Sequence, residues 1–289
     1  MEAESNQPKW IIPDDDVYAR HLIQADLWRG PGIRKLIHAL ALPEGSSGLD
    51  AGCGIGQHTL WLADAVGERG HVTGMDLSPD FVARAADLAQ DAGLSPQTSF
   101  QAGDLNRLPF ANDSFDWLWS ADTIYFGPPA EGYVSQNPSQ LIQELSRVVR
   151  PGGRLILVYC AAQNLLPGFP LLEAKLNVAS AQAESFVRNS KPFLHHMRAG
   201  GWLRGAGLLS ITSCTVGHGI MAPLDGSLRD ALMGLIQMRW GSDLMPKLDP
   251  EDRDLYTRLC SHDSPDFILD LPDYASFFTC TQFTGIVPE

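Results

Sequence analysis

A glycine-rich turn near residue 50 holds the residue types that could do chemistry in this chain. Residues 48–56, with the sequence GLDAGCGIG, place the carboxylate of Asp50 two residues before a G-x-G-x-G run. Glycine tolerates positive φ and has no Cβ, so this backbone can approach a ligand closely, and the helix that follows directs its N–H groups at it. Dinucleotide sites use the spacing G-x-G-x-x-G and bare N–H groups. Because a carboxylate repels diphosphate, the turn suits a ligand that carries an ammonium group.

Further acidic and polar strand ends follow the turn in order. The second predicted strand ends at Asp76, where a carboxylate can accept both hydroxyls of a ribose. A third strand is expected over residues 100–105, with Asp104 near its end, and a fourth over residues 115–120. Two alternatives stay open: Asp76 could only cap the next helix, and Asp104 could only hydrogen bond within its own loop.

These segments, together with a helix, P-G-G turn and strand over residues 145–158, resemble the motifs of class I S-adenosylmethionine-dependent methyltransferases. They occur in the family's order over residues 45–160, and that joint order is more specific than a glycine turn alone. The resemblance implies that Asp104 contacts the adenine amino group and that the next residue packs on the ring. The residues expected to contact S-adenosylmethionine are Asp50, Gly52, Cys53, Gly54, Gly56, His58, Asp76, Leu77, Asp104, Leu105 and Ser120.

The candidate catalytic residues follow from the reaction that the resemblance implies. Methyl transfer from a sulfonium is an in-line displacement, so the protein mainly aligns nucleophile, methyl carbon and sulfur. A general base is needed only when the nucleophile holds its proton tightly. Asp122 and Tyr125 follow the fourth strand, where members of the family often face the substrate, and His196 is a third candidate, for which a surface or capping role is the alternative. Whether oxygen, nitrogen, carbon or sulfur is methylated does not follow.

The order of predicted elements indicates an α/β fold. Residues 46–160 alternate strand and helix patterns, which predicts the S-adenosylmethionine-binding core. We expect a doubly wound, mostly parallel seven-stranded sheet with an antiparallel last strand, plus N-terminal helices and helical cap insertions. Ligand is expected at the carboxyl ends of the strands. Core helices are predicted over residues 57–66, 79–92 and 139–149.

The flanking segments are expected to cover this core. Residues 1–45 predict a helical lid with a break at Gly30-Pro31-Gly32, and residues 161–289 are expected to complete the sheet with strands near 210–216 and 277–285. Helical insertions are predicted over 167–190 and 224–259, and residues 126–135 are predicted to be a loop that walls the site. The insertions could cap an apolar or aromatic small acceptor or could be extra core packing, and the core resembles that of small-molecule methyltransferases of quinone and natural-product biosynthesis.

Composition excludes several classes of function. The chain has 289 residues, a net charge of −13 and no basic run, which argues against a nucleic-acid partner. Its five cysteines are widely spread without a C-x-x-C pair, so neither a disulfide framework, a metal site nor the thiol pattern of arsenite methylation is indicated. The sequence has no apolar run of about 18 residues and no signal-peptide pattern, which predicts a cytoplasmic protein without a membrane span. Homo-oligomerisation is left open.

Two other functions remain as alternatives to methyl transfer. A non-catalytic sensor or assembly protein could keep the S-adenosylmethionine site, because no catalytic residue is indispensable to this reaction type. A nicotinamide-dependent oxidoreductase would share the strand, the glycine turn and the distal acid. Against the oxidoreductase stand Asp50, the G-x-G-x-G spacing and the P-G-G segment.

Overall fold

A seven-stranded sheet forms the centre of the computed structural model, which describes residues 15–128, 132–183 and 191–289. The strands are β1 (Ser47–Ala51), β2 (His71–Asp76), β3 (Thr98–Ala102), β4 (Phe115–Ala121), β5 (Val149–Asn164), β6 (Leu209–Met221) and β7 (Ala275–Ile286). Their order across the sheet is β3-β2-β1-β4-β5-β7-β6, and only β7 pairs antiparallel with its neighbours within this described sheet. The α/β fold class with an antiparallel last strand is confirmed.

Helices connect and cover these strands. They are α1 (Asp15–Ala39), α2 (Gln57–Val66), α3 (Pro79–Asp91), α4 (Pro138–Arg147), α5 (Pro170–Ala183), α6 (Ala199–Gly205), α7 (Gly226–Arg239) and α8 (Pro250–Leu259). Short 3-10 helices cover Ser95–Gln97, Pro192–Leu194, His196–Arg198, Ser242–Lys247 and Ile268–Asp270. The start of α3 is fixed by Ser78, whose hydroxyl accepts from Phe81 N at 3.3 Å, and by proline at the first helical position.

Helix α1 corrects the prediction of several N-terminal helices, because it runs unbroken through Gly30-Pro31-Gly32. Proline removes one helical hydrogen bond there. The two glycines let the helix pack closely: a Cβ on Gly30 would lie 3.1 Å from the Trp61 ring, and one on Gly32 would lie 3.4 Å from Cys280 Sγ. Burial of apolar side chains along α1 offsets the loss of this hydrogen bond. The lid prediction for residues 1–14 lies outside the described residues.

Several predicted boundaries also move. Strand β3 ends at Ala102, so Asp104 lies in the following loop rather than on the strand. Strand β5 begins at Val149, so the P-G-G segment lies inside it, where the register against β4 shifts. Helix α5 covers part of the first predicted insertion, whereas residues 184–190 lie outside the described residues, as do residues 129–131 of the predicted loop.

Buried clusters cover both faces of the sheet. On one face, α1 and α2 pack Ile33, Leu36 and Leu62 against Trp117 and Trp119. On the other face, α4 and α6 pack against the strands. Members of that second cluster include Leu49, Met75, Leu118, Leu141, Leu145, Leu155 and Trp202. The sheet is thus held as a rigid layer whose carboxyl edge is left for the site.

The insertions form a hydrophobic cluster of their own at this carboxyl edge. Because β7 is antiparallel, its first residues lie beside the ends of β5 and β6, with Phe277 opposite Asn164. The cluster is built from α5, α7, α8 and the ends of these strands, and Trp28 of α1 packs on Phe278 at 4.7 Å between ring centroids. Its other buried members include Leu176, Leu232, Ile236, Trp240, Tyr256 and Tyr274.

Candidate functional site

The turn after β1 has three glycines with positive φ, a region that favours glycine; we call residues 50–56 with Asp76 the glycine cradle. Gly52, Gly54 and Gly56 have φ angles of 81°, 54° and 86°. A Cβ on Gly52 would lie 2.2 Å from Thr123 Cγ2, so strain and lack of space both exclude a side chain. Gly52 N and Cys53 N donate to the carbonyl of Met75 at 2.8 and 2.9 Å, which fixes the turn against β2.

Asp76 joins this turn to the helix that follows β2. Its Oδ2 accepts from Gly54 N at 2.9 Å and its Oδ1 accepts from Ser78 N at 3.0 Å. The N-cap of α3 is Ser78, so capping does not account for Asp76. The Asp76 side chain stays partly accessible, and neighbouring Leu77 is 73% exposed. A carboxylate held in this way can accept further hydrogen bonds from a ligand.

Asp50 is turned inward. Only 1% of it is exposed, and its Oδ2 accepts from the Thr59 hydroxyl at 2.7 Å. Burial raises the pKa of Asp50 to about 6, although the charge of His58 and the Thr59 hydrogen bond oppose the rise. Asp50 therefore helps to attach the cradle to α2, and its contact with a ligand ammonium group stays a prediction.

Two more predicted contact residues flank the cradle. The His58 ring packs on Trp61, with 5.2 Å between centroids, and its Nε2 is buried without a hydrogen bond. Asp26 is its ion-pair partner, with 3.6 Å between His58 Nε2 and Asp26 Oδ1. Cys53 is buried, and burial together with the charges of Asp50 and Asp76 raises the pKa of its thiol far above the usual range. The thiol is thus protonated and unreactive at neutral pH.

The residues predicted for the adenine end make local contacts. Asp104 Oδ1 accepts from the backbone and side-chain nitrogens of Asn106 at 2.8 and 2.9 Å, which is the loop arrangement that the sequence leaves as an alternative. Leu105 is 7% exposed and belongs to the core, and the Ser120 hydroxyl donates to Ala51 O at 2.7 Å. The proposed cofactor contacts of these residues stay predictions.

A second group of side chains, which we call the acceptor side, comprises Asp122, Thr123, Tyr125, Tyr159 and His196. Asp122 has a φ of 49°, and its Oδ1 accepts from the Tyr125 hydroxyl at 3.2 Å. The Thr123 hydroxyl lies within hydrogen-bond distance of two carbonyls, that of Gly52 at 3.2 Å and that of Ala121 at 3.0 Å. The acceptor side therefore touches the glycine cradle directly.

Three aromatic rings meet beside Asp122. The ring centroids of Tyr125 and His196 are 5.6 Å apart, those of Tyr159 and His196 are 5.2 Å apart, and those of the two tyrosines are 5.6 Å apart. Burial raises the pKa of both tyrosines above the usual range, so both keep their protons at neutral pH. Burial and the charge of His195 lower the pKa of His196 to about 4, so its ring is neutral.

The two neighbouring histidines stack on each other, with ring centroids 4.3 Å apart, but they differ in exposure. His195 is exposed and its Nδ1 accepts from Met197 N at 3.2 Å, which caps the 3-10 helix His196–Arg198. His196 packs inward on the tyrosines. All three candidate catalytic residues, Asp122, Tyr125 and His196, thus lie in one cluster.

Sequence reasoning missed two charged residues of α1 at this site. Arg29 Nη1 lies 3.4 Å from Asp122 Oδ2, and Arg29 Nε donates to Asp26 Oδ1 at 2.9 Å. The spacing of three places both residues on one helix face, but the same spacing is common on solvated faces. Nothing in the sequence marks this face as buried.

Comparisons with known proteins agree with the fold and the cradle. Residues 43–201, more than half of the chain, match the model of a methyltransferase domain family. The chain is 37% identical over 119 residues to a probable chloroplastic tocopherol O-methyltransferase of Oryza sativa, covering 41% of this chain and 30% of the relative. It is 33% identical over 143 residues to a demethylmenaquinone methyltransferase of Lysinibacillus sphaericus, covering 49% and 54%. The chain thus spans about half or less of the length of these curated relatives.

A solved structure supports the architecture beyond the matched segment. A putative methyltransferase from Bacillus halodurans aligns with a TM-score of 0.52 at 16% identity, over 89% of this chain and 99% of that one. At this identity the likeness shows the fold alone. Among the helices of the described residues, none is long and apolar enough to cross a membrane. The matched domain, the sheet order and the glycine cradle place the chain in the class I S-adenosylmethionine-dependent methyltransferase family.

Proposed function

We propose that this protein transfers the methyl group of S-adenosylmethionine to a small, apolar or aromatic acceptor by in-line displacement. The observation that carries the proposal is the direct contact between the two halves of the site, made by Thr123 on Gly52. Cofactor and acceptor bound on the two sides would lie against each other. Such an alignment is the main requirement of this reaction.

The cradle residues fit S-adenosylmethionine. The left-handed glycines leave open the space that side chains would fill, and the carboxylate of Asp76 stands where ribose hydroxyls could donate to it. The buried Nε2 of His58, which has no hydrogen bond and lies 3.6 Å from Asp26 Oδ1, and the carboxylate of Asp50 suit the zwitterionic methionine end. When bound, this cofactor supplies an electrophilic methyl group on a sulfonium.

The acceptor side suits a neutral nucleophile that carries a proton. The Tyr125 hydroxyl donates to Asp122, which leaves its oxygen free to accept a hydrogen bond from an acceptor hydroxyl or amine. The neutral His196 ring can take a proton, although its pKa of about 4 makes it a weak base. The aromatic rings exclude water from the reacting atoms, which strengthens these contacts.

The proposed class of acceptor rests on the names of the relatives. Two of them are named for small-molecule acceptors, tocopherol and demethylmenaquinone. The insertion cluster at the carboxyl edge is apolar as well, but its Trp240, Tyr256 and Phe278 are buried inside it, which is the core packing that the sequence leaves as an alternative. The relatives therefore support an apolar or aromatic small acceptor for this chain.

Calorimetric titration with S-adenosylmethionine, S-adenosylhomocysteine and NADH, each separately, tests the cofactor assignment. Micromolar binding of the first two and none of NADH is expected, and binding of NADH alone would overturn the proposal. Phenols, hydroquinones and amines are then incubated with protein and S-adenosylmethionine, and products are screened by mass spectrometry for one added methyl group. Cofactor binding without a methylated product from any of these classes would favour a binding protein over an enzyme.

A further inference from the structure

A buried line of charges joins α1 to the acceptor side. Asp26, Arg29 and Asp122 have side chains that are 12%, 13% and 18% exposed. The Arg29 guanidinium lies between the two carboxylates, 2.9 Å from Asp26 Oδ1 through Nε and 3.4 Å from Asp122 Oδ2 through Nη1. A fork-shaped cation can hold two anions in fixed directions, which an ammonium group cannot.

The electrostatics indicate that Arg29 and Asp26 keep their charges. Burial works against the charged form of Arg29, but the charges of Asp26 and Asp122 outweigh it and hold the pKa of the guanidinium above its usual range. Burial alone would raise the pKa of Asp26, yet His58 and Arg29 together hold it below its usual range. Arg29 is thus a permanent cation facing Asp122 at neutral pH.

Every oxygen of Asp122 has an assigned contact. Oδ1 accepts from Cys160 N at 2.9 Å and from the Tyr125 hydroxyl at 3.2 Å, while Oδ2 faces Arg29. The contact with Cys160 ties the carboxylate to β5, whereas the contact with Arg29 ties it to α1. The direction of the Tyr125 hydroxyl therefore depends on a carboxylate that is clamped from two different elements.

We propose that Arg29 is a positioning residue, which orients Asp122 and through it the Tyr125 hydroxyl toward the acceptor. The inference deepens the proposed function, because it gives a role on the acceptor side to a helix that also packs on the cradle: Leu22 of α1 lies 3.2 Å from the place of a Cβ on Gly54. Asp26 keeps the Arg29 fork in place. Arg29 reaches His58 only indirectly, through Asp26, whose Oδ1 lies 3.6 Å from His58 Nε2, so S-adenosylmethionine affinity is expected to change little.

The amide of Cys160 provides a probe that needs no acceptor. Hydrogen exchange of wild type is compared with Arg29→Gln and Arg29→Lys, with S-adenosylhomocysteine present and absent. In Arg29→Gln the Asp122 carboxylate loses its second anchor, so exchange at Cys160 and over residues 122–128 should rise about tenfold through local opening. Exchange over residues 52–56 should stay unchanged. Arg29→Lys, which keeps the charge but not the fork, should restore only part of the protection.

Arg34→Gln is the matched control on the same helix. Arg34 stacks over the Trp61 ring at 4.3 Å and makes no contact with the acceptor side in the ion pairs of the described residues, so its loss should leave the Cys160 amide protected. Unchanged protection in Arg29→Gln, or an equal rise over the whole chain, would overturn the positioning role. If Arg29→Gln fails to fold, Asp122→Ala should release the same segment with Arg29 intact, and continued protection of residues 122–128 in that variant would overturn it equally.

Kinetics add a second test with an acceptor from the screen. Arg29→Gln should lower kcat about tenfold or more while KM for S-adenosylmethionine changes less than about twofold, and Arg29→Lys should recover part of kcat. Equal losses in kcat and cofactor affinity would point to a structural role instead. The proposed function is tested by cofactor titration of the wild type, whereas this inference is tested with the Arg29 variants. Failure of one is therefore distinguished from failure of the other.

Discussion

The glycine cradle and the acceptor side are built by different means. The cradle is held by backbone geometry within a short stretch of sequence, with three left-handed glycines and main-chain hydrogen bonds to Met75. The acceptor side is assembled from side chains of the segment after β4, of β5 and of the 3-10 helix at His196, with Arg29 of α1 beside them, and these elements are distant in sequence. One region is specified by conformation and the other by packing.

This difference teaches where each region should tolerate change. A side chain introduced at a cradle glycine meets both an unfavourable φ angle and a lack of space, so the substitution strains the backbone itself. On the acceptor side a changed side chain loses one contact while others remain. The contrast predicts large stability effects in the cradle and small, local effects around Tyr125.

Gly52→Ala should give the largest effect. The φ of 81° costs an alanine about 1–2 kcal/mol, and the clash with Thr123 at 2.2 Å adds about 1–3 kcal/mol, so the free energy of unfolding should fall by about 2–5 kcal/mol. Urea unfolding measures it. Gly93→Ala is the matched control, because Gly93 has a φ of 71° with nothing within 4 Å, and only the conformational cost applies. Equal losses in the two variants would contradict the packing part of the prediction.

The pH dependence of stability probes Asp50 of the cradle. Its pKa rises from an ordinary 3.8 to about 6 in the native state, so between these values the native state keeps a proton that the unfolded chain has lost. Stability should therefore fall as pH rises through this window, by about 3 kcal/mol in total, and then level off.

Asp50→Asn removes this titration and serves as the reference. Unfolding by urea is followed for both proteins at several pH values between about 4 and about 7. As pH rises, the wild type should lose stability relative to Asp50→Asn. Parallel curves for the two proteins would mean that Asp50 has no raised pKa, and the cradle would then be less tightly closed around this carboxylate than the structure indicates.

Asp76→Ala should weaken S-adenosylmethionine binding more than tenfold, equivalent to about 1.4 kcal/mol. The variant loses the carboxylate that holds Gly54 N and that we expect to accept the ribose hydroxyls. Calorimetry measures the affinity. Asp80→Ala provides a control, since Asp80 is exposed in the first turn of α3 and should affect the helix only slightly. Similar losses in both variants would show that charge near α3, rather than a contact of Asp76, supports binding.

The same contrast explains how much of the fold and of the candidate site could be predicted from the sequence. The glycine turn, the mostly parallel seven-stranded sheet with its antiparallel last strand and the bounds of α2 and α3 depend on local patterns, and these predictions agree with the structure. Helix α1 does not, because the packing of Gly30 on Trp61 and Gly32 on Cys280 involves partners that a local pattern cannot show. Arg29 was missed for the same reason, since only the docking of α1 buries it against Asp122.

Asp104 is a case in which local structure competes with a predicted role. Its motif position predicts a contact with adenine, but the short-range geometry of Asp-Leu-Asn already satisfies one carboxylate oxygen through Asn106. Local hydrogen bonding competes with a ligand role wherever the side chain is short and the loop is tight. The residue can still bind a ligand through its other oxygen, so the prediction stands untested.

Tyr125→Phe should lower the free energy of unfolding least among these variants, so it tests the contrast between the glycine cradle and the acceptor side most closely. It removes one hydrogen bond to Asp122, whose carboxylate keeps its contacts with Cys160 and Arg29, so the free energy of unfolding should fall by only about 0.5–1.5 kcal/mol. Affinity for S-adenosylmethionine should stay unchanged in calorimetry, because no cradle contact is lost.

Tyr159→Phe is the comparison for this last variant, since its hydroxyl donates to the Ile124 carbonyl at 2.9 Å and the ring is 1% exposed. Both variants lose one hydroxyl, but only Tyr125 bonds to the carboxylate that Arg29 holds. Turnover of an acceptor should therefore fall more in Tyr125→Phe than in Tyr159→Phe, although the second variant leaves a buried carbonyl unpaired and should unfold more easily. If cofactor affinity fell in Tyr125→Phe as well, the cradle and the acceptor side would be one coupled unit rather than two regions joined at Thr123.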